Sequence, residues 1–174
     1  MATILTIADF ENGRYKIPVN QSQETDLNEK IKFVEDNYLV YLLGVELYDL
    51  FIADLALPVA GEPTDPRFIK IFNSFNYQAD DCDLIVLSEG VKEMLKGFVY
   101  YLYTRGITSR ITTVGIKQTD SENSSNKTAI VHDITSRYND SIKTYQAIQY
   151  YICNNTEFDY PEFKGAHKKF NHPF

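Results

Sequence analysis

The side chains best placed to do chemistry form an acidic cluster ahead of the central apolar segment of the chain. Asp80, Asp81 and Asp83 are followed by Glu89. Closely spaced carboxylate oxygens are the ligands that Ca²⁺ and Mg²⁺ prefer. The cluster lacks the glycine and the regular ligand spacing of a known calcium-binding loop. We therefore expect these carboxylates to lie at a helix N-terminus, where the helix dipole favours negative charge, and not to hold a metal.

The histidines give no stronger pattern. His132 and Asp133 are adjacent, and adjacent positions of a helix point in different directions, so they do not form an acid–base pair. His167 and His172 lack the spacing of metal ligands on a helix. The chain also has no glycine-rich phosphate loop and no nucleophile motif. We therefore expect no catalytic residue, no cofactor and no metal.

Charge and composition restrict the classes of protein further. The formal net charge is −7, and all 24 acidic side chains precede Lys164, so an acidic body carries a basic tail. An acidic body repels phosphate backbones, which argues against tight binding of nucleic acid. Cys82 and Cys153 lie far apart and are expected to be reduced thiols of an intracellular protein. No secretory signal and no membrane-spanning run is visible, so a soluble, cytoplasmic protein is expected.

Two long segments with helical spacing must position any functional group. Apolar residues recur every three or four positions over residues 88–106 and again over residues 127–154, which predicts two helices that pack together. The loop of residues 107–127 between them is far longer than a usual helix connection. Its first half, residues 111–117, is rich in β-branched residues and predicts a strand. That strand either adds to a strand of another chain or forms a small intramolecular hairpin, for example with the N-terminal arm.

The rest of the chain predicts shorter helices and two arms. A helix is expected from Ser22 or Thr25 to Gly44, a second over residues 45–57, and a third that opens at Asp65 and Pro66 and includes Phe75 on its inward face. The predicted fold is mainly all-α: a single antiparallel bundle of four to five helices over residues 1–156, with extended N- and C-terminal arms. The aromatic arm of residues 157–174 either docks on a neighbouring subunit or folds back on its own domain. Tyr and Phe number 13 and 11, more than one small core readily absorbs, so aromatic interfaces are expected.

Three stretches resemble the head–tail connector (adaptor) proteins of tailed bacteriophages, especially those of Bacteroidetes phages and prophages. They are NYLVYLLGVELYDLF at residues 37–51, GFVYYLYTRGITSRITTVGIKQTDSEN at residues 97–123, and the Tyr-rich last helix with its Tyr-Pro tail. The resemblance in order and length covers nearly the whole chain. Its motifs are packing and loop patterns without a chemical signature.

This resemblance implies a non-enzymatic structural protein of the virion neck, assembled in the host cytoplasm. The subunits would form a homo-oligomeric ring, commonly twelve-fold, between the portal protein and the tail or stopper protein. DNA would pass through the ring as a non-specific contact, and no membrane would be involved. The loop and the tail would contact the portal and the neighbouring subunits through Ile111, Val114, Ile116, Phe158, Tyr160, Phe163, Phe170 and Phe174.

Two other functions stay open from the residues alone. One is a small metal-dependent intracellular enzyme that uses the acidic cluster from Asp80 to Glu89. The other is a monomeric helical interaction module whose tail folds on itself.

Overall fold

The computed structural model describes residues 3–18, 23–56, 61–78, 85–108, 110–112, 115–117 and 126–165. Within these ranges the chain forms five α-helices, one short 3-10 helix and two antiparallel β-hairpins. The expectation of a mainly helical fold with four to five helices is therefore confirmed. No described helix has both the length and the apolar character needed to cross a membrane.

Three helices make the first half of the fold. Helix α1 (Glu24–Leu43) begins between the two predicted starts and ends at Gly44, whose φ of +73° lets the chain turn directly into α2 (Val45–Leu55). Helix α3 (Pro66–Phe72) has a proline at its first position, and the Asp65 side chain accepts a hydrogen bond from the amide of Arg67 at 3.0 Å. These local signals explain why the helix boundaries were predictable.

The central pair consists of α4 (Val91–Thr108) and α5 (Asn126–Asn154), which pack against each other and, through α4, against α1. The two helices are in tight contact at Gly97, where an added Cβ would overlap the Ser141 hydroxyl. The absence of a side chain at Gly97 thus lets the two helices come together. Around this crossing the buried faces of α1, α4 and α5 form one apolar core that includes Val34, Phe98 and Ile142.

A hairpin between α3 and α4 corrects the sequence analysis. Strands β1 (Phe75–Gln78) and β2 (Ile85–Ser88) pair antiparallel, with Phe75 opposite Ser88 and Gln78 opposite Ile85. Phe75 was expected on α3, but α3 ends at Phe72. The Phe75 ring is buried and packs on Tyr151 of α5, with the two ring centroids 4.8 Å apart. Residues 88–90 were expected to be helical, whereas α4 begins only at Val91.

The N-terminal segment, residues 3–17, is not the extended arm that the sequence predicted. It contains a 3-10 helix (Ile7–Phe10), and its buried side chains include Leu5, Phe10 and Ile17. The amides of Ile4 and Leu5 donate hydrogen bonds of 2.9 and 2.7 Å to one carboxylate oxygen of Glu35 on α1. Burial of several apolar side chains together with these bonds outweighs the freedom of an extended arm.

Arg14 ties the N-terminal segment to the central helix pair. Its guanidinium pairs with Glu89, next to the start of α4, at 3.0 Å and also with Asp140 on α5. Arg137 of α5 also donates a hydrogen bond to the Arg14 carbonyl oxygen. The N-terminal segment therefore contacts α5 and the residue that lies two positions before the start of α4.

Candidate interaction surfaces

The long loop between α4 and α5 carries the second hairpin. Strand β3 (Arg110–Thr112) pairs antiparallel with β4 (Gly115–Lys117), so that Ile111 lies directly opposite Ile116. Of the alternatives open from the sequence, the structure contains the intramolecular hairpin, and the second strand comes from the loop itself and not from the N-terminal segment. In the described part of the chain this sheet has two strands, so each strand has an outer edge with backbone groups that another strand can pair with. Val114 lies outside the described residues.

The first part of the aromatic tail packs on its own chain. Tyr160 is only 7% exposed, its hydroxyl donates a 2.8 Å hydrogen bond to the Arg67 carbonyl oxygen, and its ring meets Tyr151 edge-on at 6.5 Å. Phe158 and Phe163 are partly buried against the same core. The expectation that these rings serve a neighbouring subunit does not describe Tyr160, which is a core residue of its own domain.

Ion pairs also connect this C-terminal segment, residues 155–165, to α2 and α3. Arg67 on α3 pairs with Glu162 at 3.2 Å, and Lys164 pairs with Glu46 in the first turn of α2. The predicted domain boundary at residue 156 therefore does not separate a body from an arm, because the body and the segment share one core. Phe170 and Phe174 lie outside the described residues.

Much of the tyrosine content is internal. Tyr145 is buried on α5 and donates a 2.7 Å hydrogen bond to the Tyr41 carbonyl oxygen. Where α1, α4 and α5 meet, the Tyr38 and Phe98 rings lie 4.5 Å apart. Burial raises the pKa of Tyr38 to about 12 because the charged phenolate is poorly solvated there. Aromatic side chains that the composition alone assigned to interfaces are therefore buried in the core of the domain.

An exposed apolar strip lies on the outer face of β2. Ile85 and Leu87 are 61% and 64% exposed and point away from the face that holds the buried Ser88. This strip was not predicted from the sequence, because the segment precedes residues that were expected to start a helix. The alternation of exposed and buried positions along β2 was the available signal.

The third surface feature is a cavity of about 590 Å³ between the N-terminal segment, α1 and α2, here called the N-terminal cavity. Its apolar lining includes Ile4, Ile7, Ile31, Leu39, Tyr48 and Ile52. Glu35, only 7% exposed, and Asp36 supply carboxylates to the same wall. Burial raises the pKa of Glu35, although its two backbone hydrogen bonds oppose the shift.

Of the residues proposed from sequence as candidate metal ligands or acid–base groups, those that the structure describes include Glu89 and Asp133, and each of these two pairs with an arginine. Glu89 pairs with Arg14, and Asp133 pairs with Arg137 one turn along α5 at 2.8 Å. Asp80, Asp81 and Asp83, and likewise His167 and His172, lie outside the described residues. Among the described residues, no group of three or more His, Cys, Asp or Glu side chains could hold a metal ion.

Comparisons of this chain with known proteins find no match among protein-family models, curated proteins or solved structures.

Proposed function

We propose that this chain is a structural, non-enzymatic subunit of the neck of a tailed bacteriophage or prophage, and that it forms a ring between portal and tail. The observation that carries the proposal is the central pair α4 and α5, joined by a long loop that carries the β3–β4 hairpin. The resemblance to head–tail connectors implies that the inter-helix loop contacts the portal and the neighbouring subunits, and the hairpin lies in that loop. The proposal also accounts for a helical domain with an accessory strand pair in the loop between its two longest helices.

The hairpin is the element proposed to bind the portal or a neighbouring subunit. A two-stranded sheet leaves outer edges whose N–H and C=O groups can pair with a strand of another chain. Ile111 and Ile116 lie opposite each other in the register, so one substitution at each position changes a single cross-strand pair. The other members of the proposed contact set are Val114, Phe158, Phe163, Phe170 and Phe174, whereas the buried Tyr160 is left out of it.

The acidic body suits a ring through which DNA slides. A net charge of −7 gives weak repulsion from the phosphate backbone, so the duplex would be contacted without being held. The DNA contact in this proposal is therefore transient and independent of base sequence.

The test is co-expression of the full chain with the portal protein encoded beside it, followed by negative-stain microscopy and mass measurement. The loop variant carries Ile111→Asp and Ile116→Asp. The matched control carries Phe33→Asp and Val45→Asp, two exposed apolar side chains on α1 and α2. We expect rings with the wild-type chain and with the control, and loss of rings with the loop variant, while urea unfolding shows all three chains to be folded.

Each other outcome counts against a stated part of the proposal. Rings formed equally well by the loop variant would remove the hairpin from the interface. No association of the wild-type chain with the portal at any concentration would overturn the neck assignment and favour the monomeric interaction module. A metal-dependent activity lost on Asp81→Ala and Asp83→Ala, with folding intact, would favour the enzyme.

A further inference from the structure

The turn in the middle of the N-terminal segment carries the dipeptide Asn12-Gly13. Both residues are exposed, whereas the side chains of Phe10 and Tyr15 on either side of the turn are buried. Gly13 has a φ of +83°, and a Cβ added to it would have no described atom within 4 Å. The turn therefore projects from the core, and the described atoms leave room for it to change its conformation.

An asparagine that precedes a glycine loses its side-chain ammonia without an enzyme, and asparagine is among the thermolabile residues. The glycine peptide nitrogen attacks the asparagine Cγ, and the new N–C bond closes a five-membered succinimide ring. The side-chain Nδ2 leaves as ammonia and takes up the proton that the peptide nitrogen gives up. Water then opens the ring at either carbonyl carbon. Opening at Cγ gives aspartate, whereas opening at the main-chain carbon gives isoaspartate, in which the main chain runs through Cβ and Cγ.

Two features of the structure favour this reaction at Asn12. The Gly13 nitrogen must approach the Asn12 Cγ, and glycine carries no side chain that would hinder the approach. Within the described residues, no hydrogen bond holds the Asn12 side chain or the Gly13 amide. By contrast, Asn73 is also exposed and precedes a small residue, Ser74, but its side-chain amide donates a 3.2 Å hydrogen bond to the Ile69 carbonyl oxygen. Asn73 is therefore a matched reference within the same chain.

We propose that Asn12 is a site of spontaneous deamidation and that its isoaspartate form holds the N-terminal segment less firmly. The Ile17 amide donates a 2.9 Å hydrogen bond to the Phe10 carbonyl oxygen, which closes the turn. Within it, the Lys16 amide donates a 3.3 Å hydrogen bond to the Gly13 carbonyl oxygen. Isoaspartate adds one atom to the main chain inside this closed turn. The turn must then rearrange between two ends that burial of Phe10 and Ile17 holds in place.

The rearranged turn also carries Arg14. Its guanidinium pairs with Glu89 and Asp140, which connect the N-terminal segment to the central helix pair. A displacement of Arg14 weakens these connections. This inference concerns the isolated chain and does not depend on the neck assignment.

The first test follows deamidation in the full-length wild-type chain and in an Asn12→Gln variant, whose longer side chain would have to close a less favourable six-membered ring. Both are incubated at about 37 °C, near pH 6 and near pH 8. Mass spectrometry of the tryptic peptide of residues 1–14, in which Asn12 is the only asparagine, measures the conversion. Enzymatic methylation of the isoaspartyl carboxylate distinguishes isoaspartate from aspartate.

We expect Asn12 to be converted at least about tenfold faster than Asn73 in the same sample. The conversion should also be at least about tenfold faster near pH 8 than near pH 6, because the attacking nitrogen must lose its proton. The Asn12→Gln chain should show no conversion of this peptide over the same period.

The second test measures the stability of the deamidated protein. Anion exchange separates this fraction, and methylation measures its isoaspartate content. The control is Asn12→Asp, which carries the same added charge on an ordinary main chain. We expect the urea midpoint of the isoaspartate form to be lower than that of wild type by at least about 0.3 M, and Asn12→Asp to shift it by less than about 0.1 M.

Each part of the proposal can be overturned separately. Conversion of Asn12 no faster than that of Asn73, or equal conversion of the peptide in the Asn12→Gln chain, would remove Asn12 as the site. Aspartate formed without isoaspartate would contradict the succinimide route. A deamidated fraction as stable as wild type would refute the weaker hold on the N-terminal segment. An Asn12→Asp chain as unstable as that fraction would assign the effect to charge and refute the main-chain explanation.

Discussion

The packing at Gly97 predicts opposite effects for the same substitution at two positions of α4. An added Cβ at Gly97 would overlap the Ser141 hydroxyl and would lie 3.2 Å from both Ser141 Cβ and the Tyr15 hydroxyl. Ser141 cannot simply turn away, because its hydroxyl donates a 3.1 Å hydrogen bond to the Arg137 carbonyl oxygen. At Gly106 the added Cβ would have no described atom within 4 Å.

The magnitudes follow from two competing terms. Overpacking a buried contact costs about 1–3 kcal/mol, and three crowded atoms place Gly97→Ala near the upper value. Alanine in a helix interior is favoured over glycine by about 1 kcal/mol. We expect Gly97→Ala to lower the free energy of unfolding by about 2 kcal/mol, or Tm by roughly 4–8 °C. Gly106→Ala should raise it by about 0.5 kcal/mol, because the last turn of a helix gains less.

Urea unfolding of the two variants and of the wild-type chain measures these differences. Adding Ser141→Ala to Gly97→Ala removes the overlapping oxygen, so the double variant should recover at least about 0.5 kcal/mol relative to the sum of the single changes. The reasoning would be refuted if Gly97→Ala proved as stable as Gly106→Ala, or if the two effects were simply additive.

Five further substitutions, at four positions, test other contacts by urea unfolding. Gly90→Ala would drive a Cβ into the Phe72 carbonyl at a φ of +87° and should cost at least about 3 kcal/mol, whereas Gly13→Ala, also at positive φ but with no atom nearby, should cost only about 1–2 kcal/mol. Burial raises the pKa of Glu35, so the contribution of its protonated form to stability is full below the ordinary pKa near 4.5 and is lost as pH rises through the raised pKa. Glu35→Gln does not titrate, so the variant should gain stability relative to wild type as pH rises between these two pKa values. A stability difference that does not change with pH would contradict a raised pKa at Glu35. Tyr160→Phe should lose about 1 kcal/mol with its hydrogen bond and Tyr160→Ala about 3–5 kcal/mol, whereas a neutral Tyr160→Ala would mean that the ring is not a core residue.

The helices were predictable because their signals are local. The stop at Gly44 and the cap at Asp65 act within one turn of the chain, and the apolar spacing of α4 and α5 continues for many turns. Helix α5 begins at Asn126 and ends at Asn154, one residue from its predicted start. Such patterns fix secondary structure without reference to distant residues.

The N-terminal segment was mispredicted because its stability comes from distant residues. Its short alternating run is too brief to specify a structure alone, and the Glu35 carboxylate that binds its amides lies 30 or more positions away. The β1–β2 hairpin was missed for a different reason: the acidic residues between its strands were taken as the first charges of a helix.

Some features of the candidate interaction surfaces were likewise predictable from the local sequence, whereas others depend on residues far apart in the chain. The strand-forming tendency of residues 111–117 was visible, and the β3–β4 hairpin agrees with one of the two alternatives it left. Tyr160 could not be assigned to the core from sequence, because its partners, Arg67 and Tyr151, belong to separate helices. The N-terminal cavity could not be foreseen, since three separate segments enclose it.

The contacts of Arg14 have a consequence for the order of events during synthesis. Its partner Asp140 lies 126 positions further along the chain. At about 5–20 residues per second, a ribosome needs roughly 6–25 s to add that length. During this interval the N-terminal segment cannot take its final position on α5, and Phe10 and Ile17 lack part of the core that later covers them. The N-terminal segment is therefore made well before its partner helix, and until α5 has been synthesised its apolar side chains are available to chaperones and to aggregation.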